Sequence, residues 1–185
     1  MYQEKKMADF IIENGVLTKY TGKKKNVNIP KSVQKIGKYA LAGCEHIETV
    51  TVLDGVTEIG EGAFMKCFYL REIAIPESVS CIGVRAFADC KRLESIALGG
   101  VERIESWAFD NCDRLRSVTI AGGIQKICDY AFYDCYSLEK LVIPVNVEHI
   151  GKDVFGRCPK LTICAPENSY VELYAIENDI NFQAI

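Results

Sequence analysis

Nine cysteines carry the most versatile chemistry in this chain of 185 residues, because a thiol can ligate zinc, form a disulfide or act as a nucleophile. Zinc sites use pairs of ligands two to four residues apart, whereas six of these cysteines are spaced 22 or 23 residues apart and no histidine joins them. The spacing predicts no metal site, and no motif predicts a cofactor. The column consists of Cys44, Cys67, Cys90, Cys112, Cys135 and Cys158.

The regular spacing favours reduced, buried thiols that act as small apolar groups. Coils of a stacked chain lie about 4.8 Å apart, but side chains that all point the same way rarely offer the geometry of a disulfide. Cys81 and Cys128 lie outside the column, and we predict that they are the more exposed thiols. Free thiols also fit a reducing compartment.

The two histidines do not suggest a catalytic centre. His46 and His149 occupy different positions in the first and last units, and four coils at about 4.8 Å each would separate them by roughly 20 Å. We interpret them as solvated turn residues. The carboxylates are scattered rather than paired, and no glycine-rich phosphate loop is present, so the sequence predicts a protein that is not an enzyme.

The elements that carry these residues follow from the repeat itself. The unit reads V-x-x-I-x-x-x-A-F-x-x-C-x-x-L-x-x-I-x-I and occurs six times. Its alternating end predicts a short strand that is parallel to its neighbours, and the apolar spacing around A-F-x-x-C predicts one helical or 3₁₀ turn. One unit is a residue short, and the deletion falls in the turn between Leu98 and Val101. Stacking of the units would join their apolar faces into one core.

Both ends of such a stack need caps. Alternating residues around Asn14-Gly15 predict an N-terminal hairpin. Ser169 and Glu172 form a capping-box pattern that opens an amphipathic helix, and residues 180–185 resemble a strand. We therefore divide one continuous domain into a hairpin cap (1–28), six repeats (29–163) and a helix-plus-strand cap (164–185).

The repeat resembles the BspA-type leucine-rich repeat over residues 29–163. The resemblance rests on a unit with Ile75-Pro76, Val79, Ile82-Gly83, Ala86-Phe87 and Cys90. It implies a β-rich α/β solenoid of right-handed stacked coils, with a parallel sheet on one face and short helical or 3₁₀ turns on the other. It also implies recognition of proteins or host surfaces, and it brings no catalytic residues. Glu105 and Cys128 replace the family's glycine, so that position does not require a positive φ.

Two surface columns are candidates for binding. Glu48, Arg71, Glu94, Arg116 and Glu139 alternate in charge, and we expect neighbouring rungs to neutralise one another. Arginine and aromatic residues, which are favoured at interface hot spots, gather on the turn side. These rings either bind a partner or cover their own backbone, with Arg85 over Trp107 as a cation–π pair. The candidate residues are Phe68, Tyr69, Arg85, Trp107, Tyr130, Tyr133 and Tyr136.

The favoured function is a non-enzymatic module that binds another protein through a rigid repeat surface. Two alternatives stay open: an intracellular scaffold that associates with itself, and a glycan-binding module whose rings stack on sugars.

A net charge of -3 argues against nucleic acid as a partner, and no apolar run is long enough for membrane insertion. We expect a monomer or a weak homodimer. The chain shows no export signal, which favours the cytoplasm, whereas the resemblance makes the cell surface possible.

Overall fold

The computed structural model describes residues 4–7 and 9–185, and in residues 4–7 it describes the backbone alone. The repeated part forms a solenoid with parallel sheets on two faces. The strand predicted from the alternating end of each unit is present in every coil. The first three of these strands pair in parallel in one sheet, and the last four pair in parallel in another. These strands are β4 (Asn26–Asn28), β6 (Thr49–Thr51), β8 (Glu72–Ala74), β10 (Ser95–Leu98), β12 (Ser117–Ile120), β14 (Lys140–Val142) and β16 (Thr162–Ala165).

A second parallel sheet, which the sequence did not predict, runs along another face of the solenoid. Each of its strands ends on the isoleucine of V-x-x-I and is only two residues long, so alternation could not reveal it. The N-terminal hairpin extends this sheet, because its second strand, β3 (Val16–Tyr20), pairs in parallel with β5 (Lys35–Ile36). The short strands are β5 (Lys35–Ile36), β7 (Glu58–Ile59), β9 (Cys81–Ile82), β11 (Arg103–Ile104), β13 (Lys126–Ile127) and β15 (His149–Ile150).

The segment around A-F-x-x-C corrects the prediction of a helical or 3₁₀ turn. It forms consecutive hydrogen-bonded turns, because two residues per coil, such as Arg85 and Asp89, have left-handed φ angles of 54° and 62° that interrupt a right-handed helix. Its N–H groups alternate between two kinds of acceptor. The Ala88 N–H donates to Arg85 in the same coil at 3.1 Å, whereas the Phe87 N–H donates to Ala108 in the next coil at 2.7 Å. The turns therefore hold the coils together much as the sheets do.

The core is a single apolar spine that runs through all the coils. Its largest members are phenylalanines, whose rings stack nearly parallel along the axis. The ring centroids of Phe64 and Phe87 are 5.2 Å apart, those of Phe87 and Phe109 are 5.1 Å apart, and those of Phe109 and Phe132 are 4.9 Å apart. Each ring is fully buried. One coil exposes its apolar face unless a neighbour covers it, so the stack is stable only as a unit.

Both caps take the predicted form. The hairpin comprises β2 (Phe10–Glu13) and β3 (Val16–Tyr20), and positive φ angles at Asn14 and Gly15 suit its tight turn. An additional strand, β1 (Glu4–Met7), pairs antiparallel with β2.

At the other end lie α1 (Tyr170–Glu177) and β17 (Asn181–Ala184). The Ser169 side chain accepts a hydrogen bond from the Glu172 N–H, and Val171, Tyr174 and Ala175 form the buried face of the helix. Within the described residues, no helix is long and apolar enough to cross a membrane.

Candidate functional site

The cysteine column is a structural ladder inside the turns. Cys67, Cys90, Cys112 and Cys135 are buried, and Cys44 and Cys158 at the ends are half-buried. Five of the six column thiols, all except Cys44, donate a hydrogen bond to a backbone carbonyl of the preceding coil. The Cys90 thiol, for example, donates to the Phe64 carbonyl at 3.2 Å. Burial raises the pKa of Cys67 to about 12. A thiol held protonated in this way is a poor nucleophile and a poor metal ligand.

Cys81 and Cys128, two of the three cysteines outside the column, differ from one another. Cys81 is half-buried beside Arg103, whose guanidinium lies 3.9 Å from the sulfur. Cys128 is buried, so the prediction that it is exposed is wrong. Its thiol donates to a Glu105 carboxylate oxygen at 3.4 Å, and burial followed by the charge of Glu105 raises its pKa to about 11. No disulfide links any of the nine cysteines in the described part of the chain.

The histidines are not brought together. His149 lies exposed on β15, in a strand rather than in the predicted turn. His46 lies in a turn, as predicted, but it is half-buried near Tyr20 of the hairpin, with ring centroids 6.4 Å apart. Its Nε2 is buried without a hydrogen-bond partner, so this part of the ring is not solvated. Among the described residues, no cluster of three or more histidines, cysteines or carboxylates could hold a metal ion.

Four of the predicted binding residues form one cluster, which we call the aromatic edge: Arg85, Trp107, Tyr130 and Tyr133. The rings of Trp107 and Tyr130 stack at 4.2 Å, and Tyr133 contacts the Trp107 ring edge-on at 5.8 Å. The Arg85 guanidinium lies 5.9 Å from the Trp107 ring centroid, which is the predicted cation–π pair. Successive coils present these residues because each occupies the same left-handed turn position, except for Tyr133.

The other three predicted residues lie apart from the aromatic edge. Phe68 and Tyr69 follow Cys67, and the Tyr69 ring lies 4.4 Å from the guanidinium of Arg92. Tyr136 lies one turn further along its coil than Tyr133 and is covered by Arg157 at 5.7 Å. The sequence predicted one aromatic surface, whereas within the described residues no ring contact joins Phe68, Tyr69 or Tyr136 to the aromatic edge.

The charged ladder predicted on the sheet side has the right backbone register but does not form as a row of ion pairs. The Arg71 N–H donates to the carbonyl of Glu48 at 2.8 Å, so these residues do occupy successive rungs. The Glu48 carboxylate, however, forms its ion pair with the Lys25 ammonium group, at 2.7 Å. Within the described residues, no carboxylate lies within 4 Å of the guanidinium of Arg71 or Arg116. The expected ion pairs between rungs are therefore absent, although the hydrogen bond and charge of Lys25, followed by the charge of Arg71, lower the pKa of Glu48.

A half-buried carboxylate adjoins the aromatic edge. Asp110 occupies the position equivalent to Tyr133 one coil earlier, and burial, followed by repulsion from Asp89 and Asp134, raises its pKa to about 6. Both neighbouring aspartates have polar partners of their own. The Asn111 amide donates to the Asp89 carboxylate at 2.7 Å, and the Arg157 guanidinium lies 3.1 Å from the Asp134 carboxylate. The spacing did not reveal this group of carboxylates, because Asp89 and Asp134 share one column and Asp110 belongs to the column before it.

A family model described as the BspA type leucine-rich repeat region matches six copies in the chain, over residues 11–135 and 99–183. The chain belongs to this family. No curated protein sequence matches this BspA-type chain.

Solved structures show the same fold. A leucine-rich cell surface protein from Faecalibacterium prausnitzii is 27% identical, with a TM-score of 0.69, over 89% of this chain and 52% of that protein. A leucine-rich repeat protein from Bacteroides capillosus is also 27% identical, with a TM-score of 0.57, over 64% of this chain and 99% of that one. The pneumococcal vaccine antigen PcpA is 18% identical and shares the fold, with a TM-score of 0.80 over 95% of this chain and 46% of the antigen. This BspA-type chain thus spans about half the length of the F. prausnitzii protein.

Proposed function

We propose that this chain is a non-enzymatic module that binds another protein, and that the aromatic edge is its principal contact surface. The observation that carries the proposal is the stacked pair of Trp107 and Tyr130, half-buried and flanked by Arg85. Tryptophan, tyrosine and arginine supply most of the binding energy at protein interfaces. Side chains that are already held in place lose little conformational entropy when a partner binds.

The backbone beneath the aromatic edge supports this role. The Trp107 N–H donates to Asp129 in the next coil at 3.1 Å, and the Tyr130 N–H donates to Lys152 at 2.9 Å. These bonds tie each turn to its neighbour and fix the spacing of the rings. A partner would therefore meet a preformed surface, and binding would need little change of shape.

The geometry favours a protein partner over a sugar. A sugar ring stacks on an open aromatic face, but Tyr130 covers one face of Trp107 and Arg85 approaches the ring as well. The surface left for contact consists of ring edges and the guanidinium, which suit side chains and backbone carbonyls. Glycan binding remains an outcome that the experiment below can detect.

Affinity capture with matched variants tests the proposal. The immobilised chain is exposed to a cell extract, and bound proteins are quantified by mass spectrometry for the wild type, for a Trp107→Ala/Tyr130→Ala variant and for Tyr39→Ala. Tyr39 occupies the same turn position two coils before Arg85, has a positive φ of 55° and is exposed. It makes no ring contact with the stacked pair in the described residues, so it controls for loss of an exposed ring. We expect the double variant to lose the bound protein and Tyr39→Ala to retain it.

Two further readings complete this experiment. Thermal melts must show that the double variant is folded at the capture temperature. Equal capture by the double variant and the wild type would contradict the role of the aromatic edge, and a glycan array with wild-type hits that the double variant loses would favour sugars instead.

Light scattering of the purified chain tests the expectation of a monomer or a weak homodimer, and a stable oligomer would favour a scaffold that associates with itself.

A further inference from the structure

Four arginines outside the aromatic edge carry charges that no carboxylate of the described chain neutralises within 4 Å. Two of them, Arg92 and Arg114, occupy the same position on successive coils, two residues after the column cysteine. Stacked coils place such positions about 4.8 Å apart. The other two, Arg71 and Arg116, lie four residues after the column cysteine, at the position just before the strand. The four residues are Arg71, Arg92, Arg114 and Arg116.

Three of these arginines, Arg92, Arg114 and Arg116, line two adjoining hollows, which we call the arginine groove. The first hollow has a volume of about 530 Å³, and its walls include Phe68, Tyr69, Arg92 and Arg114. Glu45, Lys91 and Asp113 complete the walls, and Lys91 pairs with Asp113 at 3.2 Å. The second has a volume of about 410 Å³ and is lined by Glu94, Arg114, Arg116 and Ser137. Arg114 belongs to both hollows, so they adjoin and together cross several coils.

The groove combines charge with an apolar wall. Arg92 is held over the exposed Tyr69 ring at 4.4 Å, which orients its guanidinium. Tyr69 is 44% exposed and Phe68 is half-buried, so apolar surface stays accessible beside the charges. A planar guanidinium can bind a carboxylate through two parallel hydrogen bonds.

The carboxylates around the groove indicate which anion fits. Glu45 lines the first hollow and Glu94 the second, and Glu48, Glu94 and Glu139 alternate with Arg71 and Arg116 along one column. A uniformly charged polyanion, such as a nucleic acid, would meet these glutamates as well as the arginines, and the net charge of the chain, -3, would repel it. An acidic peptide can place its carboxylates at the arginines and uncharged residues opposite the glutamates.

We propose that the arginine groove binds an extended acidic segment of a partner protein. Its carboxylates pair with Arg92, Arg114 and Arg116, and an apolar side chain rests on the rings of Phe68 and Tyr69. This site lies apart from the aromatic edge, so the failure of either proposal would leave the other intact.

Fluorescence anisotropy with a defined probe tests the proposal. The probe is a labelled 12-residue peptide of alternating glutamate, leucine and serine, and the control peptide carries glutamine in place of every glutamate. We expect the full chain to bind the acidic peptide and to bind it more weakly as salt is raised from 50 to 300 mM. Arg92→Gln/Arg114→Gln should weaken binding roughly tenfold or more.

A matched control keeps the change of charge equal. Lys126→Gln/Lys152→Gln also removes two positive charges, from exposed lysines away from the groove, and should bind the acidic peptide as the wild type does. Three results would overturn the proposal: equal binding by Arg92→Gln/Arg114→Gln and the wild type, equal binding of the glutamine peptide, or tighter binding of a 12-nucleotide single-stranded DNA. Circular dichroism confirms that both variants are folded, so each result is interpretable.

Discussion

The sulfurs of the buried column cysteines contribute packing and a hydrogen bond rather than reactivity; these residues are Cys67, Cys90, Cys112 and Cys135. The Phe64 carbonyl accepts both the Cys90 thiol at 3.2 Å and the Cys67 N–H at 3.1 Å. The thiol thus supplements a carbonyl that already has a partner. A small apolar side chain that can also donate a weak hydrogen bond suits this buried position.

Alkylation of the native chain should follow burial. We expect iodoacetamide at pH 8 to label the half-buried Cys44, Cys81 and Cys158, and to leave Cys90 and Cys112 unlabelled until denaturant is added, because burial raises the pKa of both thiols and excludes the reagent. Peptide mapping by mass spectrometry measures each site. Labelling of Cys90 as fast as that of Cys81 would contradict the ladder.

Asp110 should make stability depend on pH. Its pKa of about 6 in the folded chain lies above that of an unfolded aspartate, so the folded state holds the proton more tightly. Stability should therefore fall as pH rises from about 4 to about 6. Asp110→Asn should remove this dependence and stabilise the chain at pH 7 by about 1 kcal/mol, a figure that allows for solvent screening of a half-buried group.

Urea denaturation at pH 4.5 and pH 7 measures the effect of Asp110→Asn. The control is Asp113→Asn, because Asp113 pairs with Lys91 at 3.2 Å and its loss should not stabilise the chain. If Asp110→Asn has the same stability as the wild type at both pH values, then Asp110 carries no burial penalty and the prediction is wrong.

Among the elements, the strand, the hairpin and the C-terminal helix could all be predicted, because each depends on a local pattern. Alternation gave the strands, Asn14-Gly15 gave the hairpin turn, and Ser169 with Glu172 gave the helix start. The turns could not be predicted, because their conformation depends on hydrogen bonds to the next coil. The residues at positive φ there include Trp107 and Tyr130, whose types do not indicate a left-handed backbone.

The binding candidates show the same limit. Their column positions placed Arg85, Trp107 and Tyr130 on successive coils, and the structure confirms that they stack. Arg92 and Arg114 were overlooked, although they share a column with Tyr69. The signal was present in that column, but the absence of ion pairs depends on side-chain reach, which spacing along the sequence does not give.

The shortened turn leads to a prediction for Gly100. The coil that lacks one residue draws its turn so close to the preceding coil that a Cβ on Gly100 would overlap the backbone carbonyl oxygen of Glu77. Gly123 occupies the equivalent position one coil later, and a Cβ there would lie 3.7 Å from its nearest neighbour, the Val101 carbonyl oxygen. Gly100→Ala should therefore cost about 1–3 kcal/mol of stability, whereas Gly123→Ala should be tolerated.

Thermal or urea denaturation of the two alanine variants checks this prediction, and the wild type serves as reference. Equal stability of Gly100→Ala and Gly123→Ala would show that the short turn has room for a side chain. That result would place the missing residue elsewhere in the coil.

At the scale of the whole molecule, the stacked phenylalanines make the spine continuous from coil to coil. Phe87→Ala should destabilise the chain by about 3–5 kcal/mol, because it leaves a cavity in a fully buried stack. The loss should affect every coil, so Trp107 fluorescence and far-ultraviolet circular dichroism should report the same unfolding transition. Two separate transitions would indicate that the coils on either side of Phe87 unfold independently.

The most direct measurement of the central claim, that the chain binds a protein through the aromatic edge, is site-specific photo-cross-linking. A benzophenone amino acid replaces Tyr133 on that edge, Tyr39 in the first coil or Val142 on the exposed sheet face, and each full-length variant is irradiated in a cell extract. We predict a protein adduct at position 133 that is absent at positions 39 and 142. Adducts of equal yield at position 142, or no adduct at position 133, would contradict the claim.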